Sequence, residues 1–264
     1  VAVGADLCTI EEAKDFMKEV PEELPFMATS CCPAWSMMAK KLFPEQAKCI
    51  SMALTPMVLT ARLIKQQNPD CKIVFVGPCA AKKLEASRKT IRSYVDFVLT
   101  FEELHGMFDA KGVDFKELPD GEPLMQASAD GRGFAASGGV ASAVVNAIRR
   151  MEPNREVKVV SAEGLANCKK MLQLAKAGKY NGYLLEGMAC PGGCAGGGGQ
   201  PFQEGMELAG ERGETLYEID RNNPVRFSHE NASVQKAYDD FFDKPLSHRA
   251  HELLHTDQTK WSLR

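Results

Sequence analysis

The sequence lacks the short cysteine spacings by which small metal-binding modules are usually identified. Its nine cysteines include no CxxC pair, which excludes a zinc knuckle of the usual kind. It also has no CxxCxxC run, so we expect no accessory ferredoxin-like domain. The cysteines are therefore buried apolar residues, reactive thiols or metal ligands that come from distant parts of the chain.

Long apolar runs and an excess of basic charge are absent as well. No run reaches the roughly 20 residues that are needed to span a bilayer, and the first residues do not resemble a signal peptide. The net charge of -3 argues against a nucleic-acid-binding surface. We therefore expect no membrane span and no nucleic-acid partner. A cytoplasmic location is expected, and a periplasmic one also fits.

Helix and strand signals alternate along the chain, which indicates an α/β fold. We expect mostly parallel sheets flanked by helices, in two lobes with a metal site between them and a lobe boundary near 117–137. Strands are expected at 25–30, 72–77, 95–101, 156–164 and 180–189, the second and third of them fully buried. Helices are expected at 9–20, 33–43, 55–67, after 100, at 137–151, up to 178 and at 232–242, with capping boxes at Thr9–Glu12 and Thr100–Glu103.

Three of the expected strands are followed by cysteines. Cys31 and Cys32 follow the first strand, Cys79 follows the second, and Cys190 follows the last, with Cys194 four residues later. Ligands of parallel sheets lie beyond the carboxyl ends of the strands, where these thiols would meet. Such widely separated thiolates are compatible with an iron–sulfur cubane, which takes four of them.

The glycine-rich stretch that surrounds the last two cysteines, CPGGCAGGGG (190–199), supports the same interpretation. Six glycines would let the backbone approach a bulky inorganic body and point N–H groups at it. A flexible glycine loop with two incidental core cysteines is the alternative that this stretch alone leaves open.

Three segments of the sequence decide between these alternatives. They are TSCCPAW (29–35), GPCAAKKLEA (77–86) and EGMACPGGCAGGGGQP (186–201). In this order they resemble the signature segments of the catalytic, H-cluster domain of [FeFe]-hydrogenases, the C-terminal part of the large subunit. The resemblance extends from residue 4 to residue 255. It implies that residues 1–264 are this catalytic domain without its N-terminal part.

The resemblance implies a cofactor and its ligands. Cys32, Cys79, Cys190 and Cys194 match the four ligands of a [4Fe-4S] cluster. Cys194 also matches the thiolate that bridges to a two-iron subsite with CO, CN and azadithiolate ligands, which together with the cubane forms the H-cluster.

Residues for catalysis and for the pocket are also implied by the resemblance. Cys31 matches a free thiol that passes protons, and Lys82 matches a lysine that hydrogen-bonds an iron-bound cyanide. The proton route would continue from Cys31 through Glu12, Ser51 and Asp15 to solvent. Residues that match those shaping the subsite pocket are Pro56, Phe134 and Met188.

Several positions depart from the family pattern or lie outside it. Met57 stands where glutamine is frequent, Gly77 where methionine is common, and Lys18–Glu19 where the proton route often has an arginine. His251 and His255 are four residues apart, which suits a zinc pair on a helix, but surface or packing roles are favoured. Cysteines that match no signature position are expected to be buried thiols: Cys8, Cys49, Cys71 and Cys168.

The implied activity is the reversible oxidation of H2 to protons and electrons. A ferredoxin or another electron carrier would be the redox partner, dedicated maturation proteins would install the cofactor, and another chain or a preceding region would complete the pocket. Two alternatives stay open: an H2-sensing relative with low turnover, and an iron–sulfur cluster assembly protein without H2 chemistry. The enzyme is favoured because a cubane alone does not need the remaining matched residues, which are Cys31, Lys82, Ser51, Glu12 and Asp15.

Overall fold

The computed structural model describes residues 1–119, 121, 125–202, 204 and 207–260. Within this part of the chain, five strands form two parallel sheets with helices packed around them. The first sheet has the order β1-β5-β4 and the second pairs β2 with β3. The predicted α/β fold with mostly parallel sheets flanked by helices is confirmed.

The strands and helices follow one another in the alternating order that the sequence predicts. The strands are β1 (Met27–Ala28), β2 (Val74–Gly77), β3 (Phe97–Thr100), β4 (Lys158–Glu163) and β5 (Tyr183–Met188). The helices are α1 (Ala2–Glu19), α2 (Pro33–Leu42), α3 (Pro56–Gln67), α4 (Ala81–Ala86), α5 (Phe101–Ala110), α6 (Ala129–Gly133), α7 (Gly139–Met151), α8 (Leu165–Lys176), α9 (Ala209–Arg221), α10 (Ala232–Ala237) and α11 (His248–Leu254).

Helix α1 lies in the centre of the molecule and differs from the predicted helix at its start. It begins at Ala2, so Thr9 is an interior residue and caps nothing. The Thr9 hydroxyl donates to the carbonyl of Ala5 at 3.0 Å, within the same helix. The predicted capping box is wrong because α1 packs on α3, α6 and α7 along its whole length, and this burial overrides the local signal.

Strand β5, the central strand of the first sheet, packs closely against Trp35 of helix α2. The indole of Trp35 is fully buried, and its Nε1 donates to the carbonyl of Thr29 at 3.0 Å. A Cβ atom at Gly187 in β5 would lie 2.2 Å from this ring. Glycine is therefore required at this position of β5 for the Cys32 helix to pack on the sheet.

The second sheet is more exposed than the sequence predicts. Val74 and Phe97, the first residues of β2 and β3, are 49% and 63% exposed. The apolar composition of these strands predicts full burial. In a two-stranded sheet, however, both strands are edge strands and each is exposed on its unpaired side. The predicted capping box at Thr100 is confirmed: its hydroxyl accepts from Glu103 N at 3.1 Å, and the Glu103 carboxylate accepts from Thr100 N at 2.8 Å.

The C-terminal part contains two helices that the sequence pattern did not predict, α9 and α11. Most α9 side chains are exposed, so this helix has no wide apolar stripe. The helix predicted for 232–242 is divided into α10 and a π-helical turn, Tyr238–Phe242. The lobe boundary near 117–137 stays a prediction, and residues 120 and 122–124 within it lie outside the described ones.

The contact between Gly187 and Trp35 leads to a test of stability. Gly187→Ala should lower the free energy of unfolding by about 1–3 kcal/mol, because the added methyl group overlaps a fully buried indole. Gly106→Ala is the matched control, since nothing lies within 4 Å of the added atom and alanine favours helix α5 by about 0.5–1 kcal/mol. Denaturant unfolding of both variants checks this, and equal midpoints for Gly187→Ala and wild type would contradict it.

Candidate functional site

A cavity of about 660 Å³ lies where the ends of the two sheets meet. Cys31 and Cys32 reach it from the loop after β1, Cys79 from the loop after β2, and Cys194 from the glycine-rich loop after β5. The carboxyl ends of strands from both sheets therefore deliver thiols to one place, as the α/β pattern leads us to expect.

The four cysteines that match cluster ligands influence one another electrostatically. Burial, followed by the neighbouring thiols of Cys32 and Cys79, raises the pKa of Cys194 to about 12, and Cys190 adds to this effect. Burial raises the pKa of Cys32 as well, although the N–H groups of Trp35 and Ala189 point at its sulfur. N–H donors of this kind are typical of thiolates that hold iron–sulfur clusters.

The cysteine sulfurs do not form a tight group of the kind that holds a single ion. Four thiolates around zinc, each 2.3 Å from the metal, would lie about 3.8 Å apart. Among the described residues, the cysteines form no group whose ligand atoms all lie within 4.8 Å of one another. Three of the four matched cysteines, Cys32, Cys79 and Cys194, line the cavity. Cys190 does not line it, but its thiol is near enough to Cys194 to raise the pKa of that residue. This set of thiols, with N–H donors at one of them, fits an iron–sulfur cluster.

The glycine-rich loop makes close contacts with the backbone at Pro78, and the predicted approach of this loop to an inorganic body stays a prediction. A Cβ atom at Gly197 would lie 2.3 Å from the carbonyl oxygen of Pro78, and one at Gly199 would lie 3.0 Å from the carbonyl carbon. The N–H of Gly199 donates to the Pro78 carbonyl at 2.9 Å. These glycines hold the Cys194 loop against the residue that precedes Cys79, and so bring two thiols together.

Lys82 is buried at the cavity wall. Its Nζ lies 2.8 Å from the Glu85 carboxylate and donates to the carbonyl of Cys31 at 3.4 Å. Burial alone would lower the pKa of Lys82, but Glu85 and the thiols of Cys79 and Cys31 raise it overall. The sequence analysis missed Glu85, whose signal is its position three residues after Lys82.

Cys31 and Glu12 are neighbours at the inner end of the predicted proton route. Burial raises the pKa of Cys31, and the Glu12 carboxylate is the next largest cause. Glu12 accepts from the N–H of Ser30 at 3.2 Å, and the hydroxyl of Ser51 is near enough to lower its pKa. Burial nevertheless raises the pKa of Glu12 to about 7.

Asp15 lies one helical turn further along α1 and faces a histidine. Its Oδ2 is 3.6 Å from Nδ1 of His255, and burial raises its pKa to about 7. His255 is 9% exposed and belongs to the end of the chain, 240 positions away from Asp15. The sequence analysis gave this histidine no part in the site, because only the fold brings it to α1.

The residues that match the subsite pocket, Pro56, Phe134 and Met188, all line the cavity. Two of the three departures from the family pattern, Met57 and Gly77, lie at or next to the same wall. Met57 is buried and lines the cavity directly, and a Cβ atom at Gly77 would lie 2.6 Å from the ring of Phe75, another lining residue. Glycine at position 77 therefore makes room for this phenylalanine.

The remaining cysteines lie outside the cavity. Cys8, Cys49 and Cys168 are buried thiols, as predicted. Cys71 is partly exposed, so the prediction that it is buried is wrong. It lies in the turn between α3 and β2, where no second layer covers it.

Family models identify the chain. Residues 1–198 match the model described as iron only hydrogenase large subunit, C-terminal domain. The chain belongs to this family. Residues 206–261 match the model described as iron hydrogenase small subunit. Helices α9, α10 and α11 lie in this second segment, so one chain contains segments similar to both subunits.

Individual relatives include hydrogenases and cluster assembly proteins. The NADP-reducing hydrogenase subunit HndD of Solidesulfovibrio fructosivorans is 32% identical over 97% of this chain and 52% of its own length. Cytosolic iron-sulfur assembly component 3 of Rattus norvegicus is 30% identical over 97% of this chain and 64% of its own length. The chain therefore spans about half to two thirds of these relatives.

Solved structures give the same fold. The apo [FeFe]-hydrogenase HydA1 from Chlamydomonas reinhardtii, in a variant form, superposes with a TM-score of 0.80 at 28% identity. The match covers 96% of this chain and 82% of that one. No helix among the described residues of our chain is long and apolar enough to cross a membrane.

The contact between the glycine loop and Pro78 can be tested through metal retention. Gly197→Ala should lose most of the iron that the wild type holds after anaerobic reconstitution, because the methyl group pushes the Cys194 loop away from the Cys79 loop. Gly198→Ala is the matched control, since nothing lies within 4 Å of its added atom. Iron and sulfide analysis of both variants checks this, and equal iron contents would refute the packing role.

Proposed function

We propose that this chain is the H-cluster-bearing part of an [FeFe]-hydrogenase, which catalyses the reversible oxidation of H2 to protons and electrons. The observation that carries the proposal is one cavity that combines cluster-type thiols with a separate thiol, Cys31, beside a buried carboxylate, Glu12. A cubane site needs the first set only. The second pair is what a reaction that releases protons requires.

In this proposal Cys32, Cys79, Cys190 and Cys194 hold a [4Fe-4S] cluster. The cavity beside Cys194 would hold the two-iron subsite with its CO, CN and azadithiolate ligands. The subsite, when bound, supplies the open metal position at which H2 is split. The apolar wall of the cavity, which includes Met57, Phe134 and Met188, keeps water from this position.

The chain's own residues would handle charge and protons. Lys82 places a buried ammonium group at the cavity wall, where it can hydrogen-bond a negative ligand of the subsite. Cys31 would accept a proton and pass it to Glu12. Because burial raises the pKa of Glu12 to about 7, this carboxyl group can both take up and release a proton near neutral pH. Ser51 and Asp15 would complete the route towards solvent.

Electrons would leave through the cubane to a ferredoxin or another carrier. The chain spans about half of its hydrogenase relative HndD, so the electron partner, the maturation proteins and any further chain that completes the pocket belong to the proposal. A cytoplasmic location is also part of the proposal.

A second candidate function is iron–sulfur cluster assembly without H2 chemistry. The observation in its favour is the 30% identity to cytosolic iron-sulfur assembly component 3 over 97% of the chain. An assembly protein would use the four cluster cysteines and leave Cys31, Glu12 and Lys82 without a task. An H2 sensor would share the entire site and differ in its turnover.

Infrared spectroscopy of the anaerobically matured protein distinguishes these functions. Carbonyl and cyanide bands together with H2 turnover support the hydrogenase. Iron–sulfur absorption without these bands supports the assembly protein, and bands with very slow turnover support the sensor.

Replacing Cys31 tests the proton step. Cys31→Ala should leave the iron content and infrared bands unchanged and lower H2 turnover by about 10²–10⁴-fold, the usual contribution of a positioned proton-transfer group. Cys49→Ala is the matched control, because it removes a buried thiol that does not border the cavity and has no electrostatic effect on Cys31 or Glu12. Wild-type turnover in Cys31→Ala would exclude this relay, and loss of the cubane would exchange the roles of Cys31 and Cys32.

A further inference from the structure

Three side chains form a compact group on the side of α1 that leads away from the cysteines. A carboxylate oxygen of Asp15 and ring nitrogens of His251 and His255 all lie within 4.8 Å of one another. Oδ2 of Asp15 is 3.6 Å from Nδ1 of His255, and the two imidazole rings have their centroids 4.3 Å apart. Zinc ligands at 2.0–2.1 Å in a tetrahedron are about 3.4 Å apart, so a small closure would suffice.

Two buried polar atoms in this group have no hydrogen-bond partner among the described residues. They are Oδ1 of Asp15, in a residue 3% exposed, and Nδ1 of His255, in a residue 9% exposed. Buried polar atoms are nearly always satisfied, and an ion is one of the explanations when they are not. Both atoms belong to residues of the group that also contains His251.

A carboxylate behind His255 fixes the orientation of its ring. Nε2 of His255 lies 2.7 Å from Oε2 of the fully buried Glu11, and Oε1 of Glu11 accepts from the hydroxyl of Tyr238 at 2.5 Å. In the neutral ring the proton is therefore held on Nε2, and Nδ1 can bind a metal ion in place of a proton. Burial alone would lower the pKa of His255, but Glu11 and Asp15 raise it overall, so an ion at Nδ1 competes with a proton. A histidine that donates to a carboxylate through its other nitrogen is the usual arrangement at zinc sites.

We propose that Asp15, His251 and His255 bind a divalent transition metal ion of the zinc type, with water as a fourth ligand. Asp15 and His255 form the buried side of this site. His251 is exposed on α11 and gives the ion an entry path from solvent. Two nitrogens and one carboxylate oxygen match the ligands that zinc takes when it keeps an open position.

The position of the site has a consequence that rests on the proposed function. Asp15 is the outer carboxyl group of the proposed proton route, and a bound ion would take its oxygen and exclude the proton. Zinc at this site should therefore inhibit H2 turnover, whereas zinc binding itself does not depend on the reaction.

Zinc binding is tested on the full chain after anaerobic installation of its iron–sulfur cluster, so that the four cysteines are occupied. Equilibrium dialysis against zinc chloride should give one bound zinc in the wild type, and His251→Gln should lower the affinity at least tenfold. His248→Gln is the matched control, because this exposed histidine at the start of α11 lies outside the group. Glu11→Gln should lower the affinity by about 10–100-fold through the orientation of His255.

X-ray absorption at the zinc edge identifies the ligands. Nitrogen and oxygen neighbours at about 2.0–2.1 Å, without sulfur at about 2.3 Å, are expected. A sulfur shell, or equal affinities of wild type and His251→Gln, would overturn the site. Inhibition by zinc that is relieved in His251→Gln supports the link to the proton route. Zinc that binds as expected without slowing turnover would leave the site intact and overturn the role of Asp15.

Discussion

The backbone contact between the glycine-rich loop and Pro78 is the constraint on which the site depends. The two sheets are not hydrogen-bonded to each other among the described strands, so the contact between these loops contributes directly to the distance between Cys79 and Cys194. The N–H of Gly199 reaches the Pro78 carbonyl at 2.9 Å, and its own carbonyl accepts from Glu102 N at 3.1 Å. A side chain at Gly197 or Gly199 would separate these segments, and the thiols would no longer border one cavity.

The second feature that shapes the molecule is the burial of four carboxyl groups on one helix, of which Asp6 accepts hydrogen bonds from Ser128, Ser228 and Asn231. Glu11, Glu12 and Asp15 of α1 are all buried, and such groups are costly unless they are paired or protonated. Glu11 is paired with His255 and Tyr238, whereas burial raises the pKa values of Glu12 and Asp15 to about 7. One helix thus contains two structural carboxylates, Asp6 and Glu11, and two carboxyl groups that titrate near neutral pH.

How much the sequence could predict depends on whether the deciding contact is local. The motifs around Cys31, Cys79 and Cys190 placed thiols at strand ends correctly, because the strands before them are recognisable in short windows. The capping box at Thr100 was predicted correctly for the same reason. The prediction of one at Thr9 was wrong because tertiary packing extends α1 to Ala2. The partnership of Asp15 with His255 joins opposite ends of the chain, and no local pattern contains it.

The C-terminal segment, residues 206–261, is similar to a small subunit and binds α1 partly through buried polar contacts. Ser228 and Asn231 donate to Asp6 at 2.7 Å, and His255 and Tyr238 hold Glu11. In a single polypeptide this docking is a unimolecular event with an effective concentration in the millimolar range, and it does not depend on the amount of a partner. The same segment contributes Val234, Phe242 and Leu254 to the hydrophobic core that contains α1. Covalent connection therefore lets buried polar groups, which would give little net affinity between separate molecules, share the interface with this core.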